Sequence, residues 1–317
     1  MSFKTRKIVV IGAGHVGSHC GYSLAAHGVC DELVFLDTDR KKAEGQALDI
    51  ADAVAYLPHS LISRAGDYGD LGDADLAVMS AGPLPDGTQT RMEMLGETVR
   101  MIRTIVPRIK DSGFSGVLVS ISNPADVIAH YLQKNTGLPA RRVISTSTSL
   151  DSARLRRVVS EHTGVDRQSV QAYVLGEHGE SQTAAWSNVT VAGKPIFRWM
   201  EQYPETWGKL DLSAMAEEAR AGGWVVLHGK KSTEFGIGAT LCEIAKAILH
   251  DEHRVMPVSV LLEGQYGQRD VYASVPAVLG KDGVEQIVEL DLAPEEKKAF
   301  DASCDVMRKN FALTEGM

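Results

Sequence analysis

A few polar residues in this 317-residue chain stand where a reaction could be run. His178 lies in Gly176-Glu177-His178-Gly179, directly after the apolar run at 170–175. An imidazole held on such a turn can act as a general acid or base near neutral pH. Taken by itself, it can equally be a structural loop histidine. Asp151 and Arg154 fall three apart in Ser149-Leu150-Asp151-Ser152-Ala153-Arg154. A helix there puts a carboxylate and a guanidinium on one face, either as a plain ion pair or as two groups of a site. Asn123, in Ser122-Asn123-Pro124, offers an amide to a substrate oxygen and a cofactor, caps the next helix, or does both. Arg91 follows the Gly- and Pro-containing stretch from Gly82 to Thr90. Such a loop can close over a substrate and exclude water, bringing an arginine with it. The alternative is a charged first helical turn.

These groups need a scaffold, and the N-terminus announces one. Ile8-Val9-Val10-Ile11 runs into Gly12-Ala13-Gly14-His15-Val16-Gly17, a strand followed by G-x-G-x-x-G. Gly12 permits the tight turn, Gly14 lets the backbone approach a pyrophosphate, and Gly17 lets the helix pack on the strand. Val16, inside the motif, belongs to the same site. The helix N-terminus supplies N–H groups and a positive dipole end for phosphates. Asp37 follows Gly17 by 20 residues, at the end of the strand-like 32–36. Its carboxylate suits both ribose hydroxyls and repels a 2′-phosphate, which favours NAD over NADP. Arg40 softens that preference and Asp39 opposes it.

The remaining first half alternates in the same way. Strands are expected at 7–11, 33–36, 76–80, 117–121 and 143–145, with helices beginning near His15, Arg40, Arg91, Pro124 and Ser152. Near-continuous apolar strands between helices indicate a parallel sheet covered on both faces, with right-handed crossovers. The second half reads as strands at 170–175 and 187–191, a turn at Ala192-Gly193-Lys194-Pro195, and helices at 212–227 and 233–249. Strands at 255–262 and 271–278 and a helix after Pro294 follow. The fold class is therefore α/β, a Rossmann-type doubly wound parallel sheet over 1–146, followed by an α+β substrate domain over 147–317.

Composition narrows the function classes. The chain is 44% hydrophobic and 23% charged with a net charge of −8. An acidic balance argues against nucleic acid and anionic membrane surfaces. It does not forbid an anionic substrate, since a local arginine pair binds a carboxylate at any net charge. No run approaches the ~18 apolar residues of a membrane span. The apolar run after Lys7 is too short for a signal core, so a first strand and a cytoplasmic protein are expected. Cys20, Cys30, Cys242 and Cys304 form no C-x-x-C pair and read as reduced thiols. The histidines form no metal-ligand array, and no metal is expected.

Taken in order, these motifs resemble the L-lactate/malate dehydrogenase family over essentially the whole chain. The markers are Gly12 to Gly17, Asp37, Ala81-Gly82 with Arg91, Ser122-Asn123-Pro124, Leu150 to Arg154, and Gly176 to Gly179. The chain is similar to both the lactate dehydrogenase and the L-2-hydroxyisocaproate dehydrogenase branches. The resemblance implies that His178 exchanges a proton with the substrate oxygen and that Asp151 orients the imidazole. It implies that Arg154 grips the substrate carboxylate at two points and that Arg91 stabilises charge on the carbonyl oxygen. The chemistry implied is reversible, NADH-dependent reduction of a small 2-oxo acid such as pyruvate, glycolytic in setting, in a homotetramer or homodimer.

Two departures and one match bear on specificity and regulation. Pro85, beside Leu84, stands where family members carry a loop glutamine or arginine, so oxaloacetate is disfavoured and branched or aromatic 2-oxo acids become an alternative. Thr233 matches the pocket threonine of lactate-type enzymes. Arg156 matches an arginine that binds fructose 1,6-bisphosphate in bacterial relatives, but Gln171 replaces the accompanying histidine, so weak or absent activation is expected. The small-residue helix at 41–56 is the one interface the sequence suggests. Two rival classes fit these residues less well. An NAD-dependent glycoside hydrolase wants a metal site built on cysteine and histidine, and no cysteine lies near these residues. A non-catalytic module would have lost one of His178, Asp151, Arg154 or Arg91.

Overall fold

The computed structural model describes residues 5–83 and 91–316, with the backbone alone for 91–93 and 316. Its first half is built from β1 (Lys7–Ile11), α1 (His15–Ala26), β2 (Glu32–Leu36), α2 (Arg40–Val54), β3 (Ile62–Ala65), β4 (Leu76–Met79), α3 (Arg91–Asp111), β5 (Val117–Ser120), α4 (Ala125–Thr136) and β6 (Val143–Ser145). The six strands pair in parallel in the order β6-β5-β4-β1-β2-β3. Strands β1, β4, β5 and β6 are wholly buried, as continuous Val/Ile/Leu runs between two layers of helix require.

The order reverses at β1, where β4 lies on one side and β2 on the other. Open α/β sheets bind ligands beyond the strand C-termini at such a switch point. The turns after β1, β4, β5 and β6 all open on that edge.

The second half runs α5 (Ser149–Thr163), β7 (Val170–Gln171), β8 (Val174–Leu175), β9 (Thr183–Ala184), β10 (Thr190–Val191), β11 (Lys194–Pro195), α6 (Ile196–Gln202), α7 (Leu212–Lys230), α8 (Phe235–Leu249), β12 (Arg254–Glu263), β13 (Arg269–Gly280), β14 (Gly283–Ile287) and α9 (Pro294–Ala312). It is not an independent layer. Strand β12 pairs antiparallel with β6 at Ser259 and Ser145, so β12, β13 and β14 extend the first sheet to nine strands. Helix α8 packs on α1 closely enough that a Cβ on Gly238 would fall 2.4 Å from Ser23 Oγ. The histidine turn and the glycine turn are thereby set in one frame.

Several expectations need correction. The run 170–175 is two strands, β7 and β8, because each half pairs with a different partner, β10 and β9. The strand expected from Ser187 begins at Thr190. The backbone N–H of Ser187 is taken by Glu296 Oε1 at 2.9 Å, which removes it from any ladder. Helix α5 starts at Ser149 rather than Ser152, and α8 at Phe235 rather than Thr233. Strands β9 and β11, the latter inside the expected turn, and helix α6 were not anticipated, and neither were the longer strands β3 and β14. Both are sheet edges with exposed or half-exposed residues, so neither carries a continuous apolar run.

Candidate active site

The glycine turn does what its residues demand. Gly12 has φ +105°, and a Cβ there would lie 2.9 Å from the Ser80 backbone. A Cβ on Gly17 would meet the Gly12 carbonyl oxygen at 2.0 Å, so the first turn of α1 can rest on the strand end only with glycine there. Beside Gly14 the nearest atom is Lys42 Nζ, 3.9 Å from an ideal Cβ, which leaves the backbone open to a ligand. These observations fit a dinucleotide pyrophosphate. Val16 is half-buried against the core beneath the turn.

Asp37 stands at the end of β2 and accepts the backbone N–H of Ala13 at 2.8 Å through Oδ2 and that of Asp39 at 3.0 Å through Oδ1. Burial pushes its carboxyl up, but the backbone donors of Asp39 and Ala13 and the Lys42 ammonium outweigh it and hold the group below the usual carboxylate range. The two neighbours considered from sequence are otherwise engaged. Asp39 caps α2, and Arg40 pairs with Glu44 at 3.0 Å. Lys42, which the sequence did not single out, is the cation beside Asp37, 3.6 Å from its Oδ2.

On the same edge, β6 delivers α5. Asp151 lies in the first turn of that helix, where the positive dipole end favours a carboxylate. Its side chain is only 3% exposed, and it is divided between two cations. Oδ1 accepts from Arg154 Nη1 at 2.7 Å, and Oδ2 meets His178 Nδ1 at 2.5 Å. The intrahelical ion pair therefore exists, and the same carboxylate also fixes the imidazole. The Asp151 carboxyl is pushed up by burial but held low overall by His178 and Arg154. His178 is raised above its ordinary value, chiefly by the charge of Asp151, against the opposing effect of burial. With Nδ1 committed to Asp151, Nε2 is the nitrogen left to act on a substrate, and the ring keeps about 30% of its surface exposed.

The histidine turn is anchored from behind. Gly176 exchanges two backbone hydrogen bonds with Ser274 of β13 and has φ +87°. Glu177 N–H donates to Ser303 Oγ of α9 at 2.9 Å. His178 N–H donates to Asp126 Oδ2, also at 2.9 Å. Asp126 is a buried carboxylate in the first turn of α4 that the sequence reading passed over. The signal was there: an acid just after Ser122-Asn123-Pro124, leading into the wholly buried Val127-Ile128-Ala129.

Asn123 is exposed at the end of this edge, joined to Pro124 by a cis peptide. Its carbonyl accepts from Thr98 of α3 at 3.0 Å. The cap expected of Asn123 falls instead on Pro124, and no side chain caps α4, so the Asn123 amide is not spent on the helix. Thr233 is half-buried in the α7–α8 turn. Three residues on, a Cβ on Gly236 would meet Leu150 at 2.8 Å, which draws this turn against the start of α5. Arg91 begins α3, but its side chain, with Leu84 and Pro85, lies outside the described residues.

The fold and glycine turn define a dinucleotide-binding class, and comparison with known proteins names the family. The model for the lactate/malate dehydrogenase NAD-binding domain matches residues 6–145, and that for the family's α/β C-terminal domain matches 148–316. The chain is 43% identical to an L-lactate dehydrogenase of Fusobacterium nucleatum over 306 residues, 96% of each protein. It is 42% identical to L-lactate dehydrogenase 3 of Bacillus thuringiensis, over 97% of this chain and 98% of that one. Among solved structures it is similar to the ligand-bound minor L-lactate dehydrogenase of Enterococcus mundtii, with a TM-score of 0.94, 36% identity, and coverage of 98% of this chain and 99% of that one. The lactate dehydrogenase of Cryptosporidium parvum, solved with lactic acid and nicotinamide adenine dinucleotide, superposes with a TM-score of 0.92 at 28% identity, covering all of both chains. This chain belongs to the lactate/malate dehydrogenase family.

One wall of the site leads to a prediction. A Cβ on Gly223 of α7 would lie 3.2 Å from Arg154 Nη1. Gly223→Ala should therefore displace the guanidinium while favouring the helix by about 1 kcal/mol. Steady-state kinetics and thermal melts should show a higher KM for the 2-oxo acid with an unchanged or higher Tm. An unchanged KM would mean either that α7 does not set the position of Arg154 or that this guanidinium does not hold the substrate.

Proposed function

We propose that the chain catalyses reversible NADH-dependent reduction of pyruvate to L-lactate, with an NAD-binding domain over residues 1–146 and a substrate-binding and catalytic domain over 147–317, to which Asn123 and Arg91 of the first domain add substrate contacts. The observation that carries this reading is the single buried carboxylate of Asp151 joined to both His178 and Arg154. One reactant must then present a carboxylate to the guanidinium and an oxygen to the imidazole, which describes a 2-oxo or 2-hydroxy acid. NADH, when bound through Gly12, Gly14, Val16, Gly17, Asp37 and Asn123, supplies the hydride for the carbonyl carbon.

The chain's own residues do the rest. Arg154 keeps Nη1 on Asp151 and turns its remaining donors to the substrate carboxylate, a fixed fork that lysine cannot copy. His178 gives the proton on Nε2 to the oxygen in reduction and takes it back in oxidation, while Asp151 stabilises the imidazolium. Asn123 hydrogen-bonds the same oxygen, and Thr233 lines the side-chain pocket. Arg91 is assigned to the developing charge. The branched-chain alternative rested on Leu84 and Pro85, outside the described residues, and the relatives compared above are L-lactate dehydrogenases.

The setting follows from the same reading. Among the described residues no helix is long and apolar enough to cross a membrane. A cytoplasmic enzyme is proposed. Leu48 and Tyr56, 64% and 93% exposed on and just after α2, are assigned to the interface of a homodimer or homotetramer. Sedimentation at micromolar concentration should find an oligomer, and Leu48→Glu should weaken it; a wild-type monomer would contradict the assignment. Arg156 spends Nε on the Arg167 carbonyl, and Gln171 adds no cation, so little activation by fructose 1,6-bisphosphate is expected.

The direct test follows NADH oxidation with pyruvate, 2-oxoisocaproate, phenylpyruvate and oxaloacetate. Pyruvate should give the highest kcat/KM; a preference for the larger acids would overturn the lactate reading. The pH dependence has a fixed sign. Reduction needs the imidazolium, so it should hold below the raised His178 pKa and fall as pH rises through it, while oxidation should fall as pH drops through the same value. His178→Asn should lower kcat by about 10²–10⁴-fold with NADH binding intact by fluorescence titration. Near-normal turnover would remove His178 from the mechanism.

A further inference from the structure

We propose that Asp126 is a second buried carboxylate of the acid–base centre, a positioning residue that orients the His178 turn and biases the ring toward its protonated form before substrate arrives. This rests on the reading of His178 as the proton donor.

The geometry sets Asp126 apart from an ordinary structural acid. Strands β5 and β6 are parallel neighbours, and each feeds a helix whose first turn carries a buried acid, Asp126 on α4 and Asp151 on α5. Both acids reach His178, Asp151 at ring Nδ1 and Asp126 at the backbone N–H. Asp126 Oδ1 is satisfied by the hydroxyl of Ser147 at 2.7 Å, a residue held at φ +35° between β6 and α5. The Ser259 hydroxyl, the His178 N–H and the Ser147 hydroxyl, together with the dipole of α4, favour the carboxylate form. Burial works the other way and pushes its carboxyl above the usual range, so its charge depends on those donors and on the nearby imidazolium.

Charge counting then gives the carboxylate a role. Among the described residues, the charged groups acting on the ring are Asp151 and Arg154 from α5 and Asp126 from α4. Glu177, on the turn itself, is directed to Ser181 at 2.6 Å. Ser274 of β13 and Ser303 of α9, which anchor the turn, carry no charge. These described groups, two carboxylates and one guanidinium, carry one negative charge between them, and protonation of His178 neutralises it. In a buried site that balance favours the imidazolium. When Arg154 turns its other donors to the substrate carboxylate, Asp126 still holds a negative charge behind the ring. A purely structural acid would hold the turn in place without changing the protonation of the ring.

Asp126→Asn separates the two roles, because an amide can still accept from the His178 N–H and donate to Ser147 while carrying no charge. The pH profiles of kcat/KM should be measured in both directions. The alkaline limb of pyruvate reduction and the acid limb of lactate oxidation should both move to lower pH, by about one unit. Ser147→Ala removes one donor from the carboxylate and should move both limbs the same way by less, which keeps the test open if the asparagine variant does not fold. Limbs that stay in place in a folded Asp126→Asn enzyme, or in Ser147→Ala where the asparagine variant is unfolded, would overturn the proposal. An altered Tm alone would assign Asp126 to structure. Absence of pyruvate reduction by the wild-type enzyme would instead sink the functional reading, so the two failures are distinguishable.

Discussion

The centre of the molecule is a carboxylate with two obligations. Asp151 is buried and yet charged, a state that costs several kcal/mol without compensation. The compensation comes from the imidazole of His178, the guanidinium of Arg154 and the N-terminal dipole of α5. Losing either cation leaves a buried charge half-satisfied, so the proposed acid–base group and the proposed carboxylate-binding group depend on one side chain. On the proposed roles, this ties proton transfer to the orientation of the substrate.

The rest of the fold can be read as the means of holding that carboxylate still. The sheet continues from β6 into β12, and Gly176 is fastened to Ser274 of β13. The histidine turn is therefore rigid with respect to the strand that delivers α5. Ser152, one residue beyond Asp151, accepts the Val174 N–H at 2.9 Å and locks β8, the strand leading to the turn, onto the helix. On the other side α1 and α8 pack through Gly238, which fixes the glycine turn against the second half. The groups assigned to hydride and proton delivery sit on one frame.

How much of this was legible in the sequence depended on the kind of signal. The parallel strands were readable because burial on both faces leaves unbroken runs such as Ile8-Val9-Val10-Ile11 and Val117-Leu118-Val119. The glycine turn was readable because steric exclusion at Gly12 and Gly17 admits no other residue. Asp151, Arg154 and His178 were identifiable as chemistry, but the sharing of one carboxylate was not. Spacing places Asp151 and Arg154 on one helix face and says nothing of a turn 27 residues later. Asp126 and Gly223 were missed for the same reason: their roles are contacts made across the fold, and each looks ordinary in its own helix. The edge strands β3 and β14 were missed because half-exposed strands carry polar residues. The split of 170–175 into two strands was set by partners distant in sequence.

The most direct test of the shared carboxylate is Asp151→Asn, followed by steady-state kinetics with pyruvate across pH. If one carboxylate serves both cations, kcat should fall, KM for pyruvate should rise, and the alkaline limb of kcat/KM should move to lower pH, all in the same variant. If the variant changes kcat and the pH limb but leaves KM untouched, Arg154 holds its place without Asp151, and the account of a single carboxylate binding the site together is wrong.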